Sequence, residues 1–340
     1  MSLTEKQLYI VSVSERTCSA ISLLSTGAVT VTYLSRKEFR KPINRLIVRA
    51  ALANIMVNVA TFIGRTGLDR GKNSPLCQFQ GLLVQWFLPA DALWALCIAF
   101  NVYLMFLHKY TSAELQRLEW RYMLFCYMLP FIPAITLLFL QTSDRGKVYG
   151  PALFQCWISL PWNALRIALL FAPVWLILLV IFAIYCRVGV YIYLEVKQIR
   201  RLGVTTTDWV ENIDELVDTT SIEEGQEPNA PGNPISTYSD VGELVRGQSI
   251  IRMGAWAYLG YAFLFYIALL VTWVPPSVNR VTTFIHPEFI SFGLNFATAF
   301  VISLQGFWNC IIYFTITRKE LKALQHEFAV CTPQYSASNV

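Results

Sequence analysis

The sequence predicts an all-α membrane protein, a bundle of seven transmembrane helices with a short amphipathic cytoplasmic helix after the last span. Three observations lead there. Of the 340 residues, 55% are hydrophobic and only 14% are charged, against about 25% charged in ordinary soluble domains. The apolar residues are gathered into seven blocks, each at least as long as the roughly 20 residues a helix needs to cross a hydrocarbon core. Aromatics make up 14% of the chain, with ten tryptophans, as suits belts at two membrane interfaces. The net charge of +5 then belongs to loops at the membrane surface. The lipid bilayer is an expected partner and nucleic acid is not.

The blocks run over Tyr9–Leu34, Ile43–Gly64, Phe79–Leu107, Trp120–Leu140, Leu165–Ile192, Ile250–Val274 and Glu288–Phe314. The first is the most interrupted by serine and threonine, which helix–helix contacts tolerate. The N-terminal residues show no cleavable leader, so the first span is expected to act as its own signal. Placing the N-terminus outside puts fifteen lysines and arginines on the inner segments and nine on the outer ones, with the densest cluster in the first inner loop, Arg36 to Lys41. This is the distribution expected of a plasma-membrane, multi-pass protein with an outer N-terminus and a cytoplasmic C-terminus.

Four regions follow. Residues 1–202 hold the outer tail and helices one to five. Residues 203–248 carry ten acidic residues and one basic one, with three prolines in Pro228 to Pro234, and read as a disordered acidic cytoplasmic loop. Residues 249–316 hold helices six and seven. Residues 317–340 form an amphipathic helix, with Leu321, Leu324 and Phe328 on one face, and a tail containing Cys331.

Five cysteines, Cys18, Cys97, Cys126, Cys186 and Cys310, fall inside spans as small packing residues. Cys77 and Cys156 lie on the outer, oxidising side, where they form either a bridge or two free thiols. Three scattered histidines give no metal site. No cofactor is implied. No nucleophile–base pair is present within the spans, so no catalytic residue is named and no enzyme is expected.

A charged group within an apolar run is costly and marks a functional site by default. Asp91 is such a group. It lies about 21 Å below Cys77 and about 27 Å above Lys109 along a helix, near mid-bundle. There it is expected to join Asn54 or Asn58 of span two and Asn295 or Asn309 of span seven in a buried polar network. Span six is expected to end at Trp273-Val-Pro275-Pro276, with a kink at Pro275. Pro89, Pro130, Pro133 and Pro173 are read as further breaks.

Seven spans, Cys77 with Cys156, Trp273-Val-Pro275 and Asn309 with Tyr313 resemble G protein-coupled receptors. Finer motifs resemble one branch, the cyclic-AMP-receptor-like receptors of slime moulds and fungi. These are Phe39-Arg-Lys-Pro-Ile-Asn-Arg-Leu46, Cys156-Trp-Ile-Ser159, Leu165-Arg-Ile-Ala168 and Leu304-Gln-Gly-Phe-Trp-Asn309. The resemblance covers Thr17 to Phe328. His108-Lys109-Tyr110 stands where the rhodopsin-like receptors carry an acidic-Arg-Tyr motif, and the absence of a lysine from span seven excludes a retinal Schiff base.

The resemblance implies a receptor that binds an unknown small extracellular ligand and activates a heterotrimeric G protein by rearrangement of helix six. Ligand-binding candidates are Trp86, Trp157, Trp162, Arg166, Trp273 and Glu288, between the outer halves of spans three, five, six and seven. Activation candidates are Asn54, Asn58, Asp91, Pro275, Asn295, Asn309 and Tyr313. G-protein-facing candidates are Lys109, Lys197, Arg200, Arg201, Arg252 and Arg318. The rival class is a small-solute transporter or channel, against which no internal repeat or pair of broken helices is found in matching halves. If Cys77 and Cys156 are bridged, Cys77→Ser and Cys156→Ser lower surface expression equally, as read by cell-surface labelling. A silent member of the pair would exclude the bridge.

Overall fold

The computed structural model describes residues 3–40, 42–201, 237–286 and 290–318, without side chains over parts of 196–258. Among them, six helices are long and apolar enough to cross a membrane, and a bent pair makes a seventh. The spans are Glu5–Ser35, Ile43–Ile63, Pro75–Leu107, Ser112–Phe139, Leu160–Glu195, Leu259–Ile285, and the pair Phe292–Ser303 with Gln305–Ile316, bent by 46° at Leu304. The third span is the axis. It packs on the second, fourth, fifth and sixth, while the first packs on the second and on both halves of the seventh.

Local chemistry sets the ends. Ser74 accepts from the Cys77 amide and Pro75 occupies the first turn of span three, where a missing N–H costs nothing. The span ends at His108, followed by Lys109 in the left-handed region at φ 56°, the conformation that commonly closes a helix. Thr111 and Glu114 then form a reciprocal capping box that starts span four.

The prolines behave differently from the sequence expectation. Pro89, Pro130 and Pro133 lie inside continuous helices, as do Pro275 and Pro276, and span six continues to Ile285. Hydroxyls tie down carbonyls around that last pair: Ser277 donates to the Trp273 carbonyl at 2.7 Å and Thr272 to that of Ala268 at 2.9 Å. The carbonyls that lose their amide donors to Pro275 and Pro276 are those four residues earlier, of Val271 and Thr272. The same helix reaches back to Thr237, so residues 237–248, read above as part of a disordered loop, are helical; the last proline of that region is Pro234. Residues 202–236 of the loop, the amphipathic segment beyond Arg318 and Cys331 lie outside the described residues.

Between spans four and five, β1 (Gln141–Thr142) pairs with β2 (Gly146–Lys147), and β3 (Tyr149–Pro151) with β4 (Cys156–Ile158), both antiparallel. The Cys77–Cys156 disulfide joins β4 to the top of span three. Span five then passes through a π-helical turn, Ile167–Phe171.

The interrupted first span is explained by its buried face. Ser12, Glu15, Ser19, Ser22 and Thr26 recur every three or four residues and are all buried. Ser19 and Thr61 share a hydrogen bond at 2.6 Å, and Asn58 donates to Ser22 at 3.0 Å. Gly306 sits against this stripe; a Cβ there would come within 2.4 Å of the Ser22 hydroxyl and 2.5 Å of that of Thr26. Gly260, by contrast, has nothing within 4 Å of such a Cβ. Gly306→Ala is therefore expected to destabilise the purified protein by about 1–3 kcal/mol through overpacking. Gly260→Ala leaves the unfolding temperature unchanged or raises it, and thermal unfolding in detergent reads both.

Candidate functional site

The middle of the bundle is organised by Asp91. The Asn54 amide donates to Oδ1 at 2.8 Å, and Oδ2 accepts from Gln305 at the break in span seven. Asn58 donates to the Asn54 carbonyl at 2.8 Å and reaches on to Ser22. Spans one, two, three and seven thus share one chain of hydrogen bonds. A small cavity of about 20 Å³, room for about one water, lies beside it, lined by Asp91, Trp94, Gln305 and Asn309 among others. A second of about 10 Å³ is lined by Thr26, Asn54, Gly306 and Asn309.

The expected partners are only partly those found. Asn54 meets Asp91 directly and Asn58 joins through Asn54, but Asn295 is turned to Asn279 of span six, which donates to it at 2.9 Å. Asn309 lines both cavities, and the direct bond from span seven comes from Gln305. The 46° bend at Leu304 changes which residues of span seven face the axis. Gln305 stands in the Leu304–Asn309 motif, but a straight helix gives no reason to prefer it over Asn309.

At the opposite end from the bridge, Tyr313 is fully buried. Its ring is stacked with Phe39 at 6.5 Å, and its hydroxyl accepts from Thr32 at 3.4 Å. The Phe39–Leu46 motif gains a structural meaning here: Asn44 donates to the Phe39 carbonyl at 2.8 Å. Arg45 pairs with Glu119 at 2.9 Å, and Arg49 with the same carboxylate at 2.6 Å. Glu119, immediately before the fourth apolar block, was not singled out from sequence. Lys109, Lys197 and Arg318 are exposed, whereas the side chains of Arg200, Arg201 and Arg252 lie outside the described residues, as does Glu288.

At the bridged end, span three anchors the strands through glutamines. Gln80 donates to the Ala60 and Gly64 carbonyls and accepts from the Cys156 amide at 3.0 Å. Gln78 donates to the Tyr149 carbonyl and Gln85 accepts from Trp157. Trp86 is turned to span four, donating to the Tyr127 carbonyl at 2.8 Å and packing on Phe131. Trp162 lies beneath the Arg145 guanidinium. Trp157, Arg166 and Trp273 gather instead around Phe171: Trp157 and Trp273 meet its ring edge-on at 6.4 and 6.2 Å, and Arg166 covers Trp157 at 5.2 Å. Among the described residues, no group of three or more His, Cys, Asp and Glu side chains is placed to hold a metal.

Removing the span-seven donor tests the central contact. Gln305→Leu leaves one carboxylate oxygen of Asp91 without its partner, a loss of about 1–3 kcal/mol. Thermal unfolding of the detergent-solubilised variant reads it, and the loss is expected to shrink when Asp91→Leu is added, since both partners are then apolar.

The fold and this geometry have counterparts among known proteins. The solved structure of squid rhodopsin matches with a TM-score of 0.60, covering 98% of this chain and 88% of that one at 14% identity. No curated protein matches. The model of the slime mold cyclic AMP receptor family matches residues 5–203. With more than half of its length matched, this multi-pass membrane protein belongs to the slime mold cyclic AMP receptor family, and is a receptor of the G protein-coupled type.

Proposed function

We propose that the protein sits in the plasma membrane with its N-terminus outside, binds a small ligand at the bridged end, and activates a heterotrimeric G protein at the other. The excess of lysine and arginine on the segments assigned to the cytosol supports this orientation. Cyclic AMP, named in the family's description, is the first ligand to try.

The observation that carries the reading is the contact of Asp91 with Gln305. A buried carboxylate on the central helix holds the broken point of span seven, so a ligand that shifts span three or span seven acts on the same bond. An agonist works only if it binds one arrangement of the helices better than another. In this reading Pro275 and the polar chain through Asn54, Asn58, Asp91 and Asn309 supply the arrangement that changes, with Tyr313 closing the inner end. Asn295, bonded to Asn279, couples span seven to span six. Outward movement of the inner half of span six would open a surface lined by Lys109, Lys197 and Arg318, with Arg200, Arg201 and Arg252 beside them. The acidic segment 203–248 and the tail 317–340 would flank that surface, the tail's amphipathic part lying on the inner leaflet.

The test is nucleotide exchange on a co-expressed Gα subunit. Cyclic AMP or a member of an extracellular metabolite panel is expected to stimulate exchange. Asp91→Asn, which keeps the shape and removes the charge, is expected to reduce the response about ten-fold, equivalent to about 1.4 kcal/mol of coupling, at unchanged surface level. Uptake of a solute without exchange would overturn the receptor reading in favour of a transporter.

A further inference from the structure

At the bridged end, one buried and one half-buried arginine meet no carboxylate among the described residues. Arg166 is only 3% exposed. Its Nε donates to the Ile158 carbonyl at 2.7 Å, and its Nη2 donates to the same oxygen. Arg280 of span six lies over the Phe171 ring at 5.6 Å and donates from Nη1 to Asn163 at 3.2 Å, while its buried Nε has no acceptor. The two guanidiniums act on each other as like charges. Among the described residues, the ion pairs are those of Arg45 and Arg49 with Glu119 and of Arg65 with Glu5; neither Arg166 nor Arg280 meets a carboxylate. A cation withdrawn from water, as Arg166 is, is costly without a counter-charge, and Arg280 sets a second, half-buried cation beside it.

The surroundings are rich in donors as well. The indole N–H groups of Trp273 and Trp162 are buried without an acceptor. Trp273 closes on Phe171 from the side of span six, and Trp162 immediately precedes the Asn163 that receives Arg280. The π-helical turn Ile167–Phe171 follows directly on Arg166 and ends at Phe171, a distortion often found at functional sites. Aromatic faces carry the guanidiniums on one side, at Trp157 for Arg166 and Phe171 for Arg280, as suits cations held in a fixed orientation. Among the described residues the cluster has a surplus of donors and positive charge, and no acceptor with negative charge.

We propose that Arg166 and Arg280 form the seat of a phosphate-type oxyanion entering from the bridged end of the bundle. The fork of each guanidinium suits paired hydrogen bonds to such a group, and the anion removes the repulsion between spans five and six. It draws the outer end of span six toward span five and leaves the inner half free to move. The proposal rests on the receptor reading and deepens it by naming the two residues that hold the anionic group of its ligand. Its test uses no G protein, so failure of the seat and failure of coupling are separate results.

The experiment follows thermal unfolding of the full-length protein in a phosphate-free maltoside detergent, by tryptophan fluorescence, as inorganic phosphate replaces chloride at constant ionic strength. The unfolding temperature is expected to rise to saturation. Arg280→Gln is expected to raise the half-saturating phosphate concentration about ten-fold, with Arg280→Lys between the two. Without phosphate, Arg280→Gln is expected to unfold no lower than the parent, because the like-charge contact is gone; a merely structural Arg280 would make it unfold lower. Phosphatidic acid is added to the micelles in a second arm. A rise there without a response to inorganic phosphate supports the seat and assigns its occupant to a lipid headgroup. No rise in either arm, or an equal rise in parent and Arg280→Gln, overturns the proposal.

Discussion

A carboxylate cannot be left bare in the interior of a helix bundle, and the architecture follows from how Asp91 is satisfied. Its two oxygens take donors from two other spans, Asn54 of the second and Gln305 of the seventh. A hydrogen bond to a charged group is among the stronger polar contacts available, and losing one inside a low-dielectric interior is expensive. Both neighbouring spans are therefore held in register with the third at one level. The break at Leu304 is part of that solution, since it brings Gln305 to Asp91 and Gly306 to the first span.

The first span extends the same logic to the edge of the bundle. Lipid offers no hydrophobic drive for one apolar helix to join another, so small and polar residues must do it. Ser12, Glu15, Ser19, Ser22 and Thr26 are buried together, and Gly306 lets the seventh span approach their hydroxyls. The serines and threonines that weaken this block as a hydropathy signal are thus the residues that dock it.

Much of this was legible in the chain. Length and spacing of apolar blocks give the spans, because a lipid-facing helix must be apolar over a fixed length. Cys77 and Cys156, left on one side by topology, form the disulfide. Asp91 and Asn54 stood out because polar residues are rare in such blocks. Less legible was anything that depends on local deviation from a straight helix. The bend at Leu304 substitutes Gln305 for Asn309 at the carboxylate and sends Asn295 toward Asn279. The helix of span six runs on through Pro275 and Pro276 to Ile285. Arg166 was a ligand-binding candidate from sequence while Arg280 was only one of the outer charges, because the π turn and the return of β4 are what bring them to one cluster.

The two ends of the bundle are held by different chemistry, and that difference bears on which part can move. Toward the bridge, the third span carries a covalent bond and three glutamines engaged with the strands and with span two. There span six is tied by directional bonds, Trp175 donating to Ser277 and Asn279 to Asn295. Below Pro275 it meets span five through the rings of Tyr185, Phe263 and Tyr266, 5.7 Å apart by centroid from Tyr185. Ring contacts depend weakly on angle and tolerate sliding, whereas hydrogen bonds below 3.2 Å weaken steeply when bent. Among the described residues, the outer end of span six is therefore the end held by bonds of fixed direction to spans five and seven.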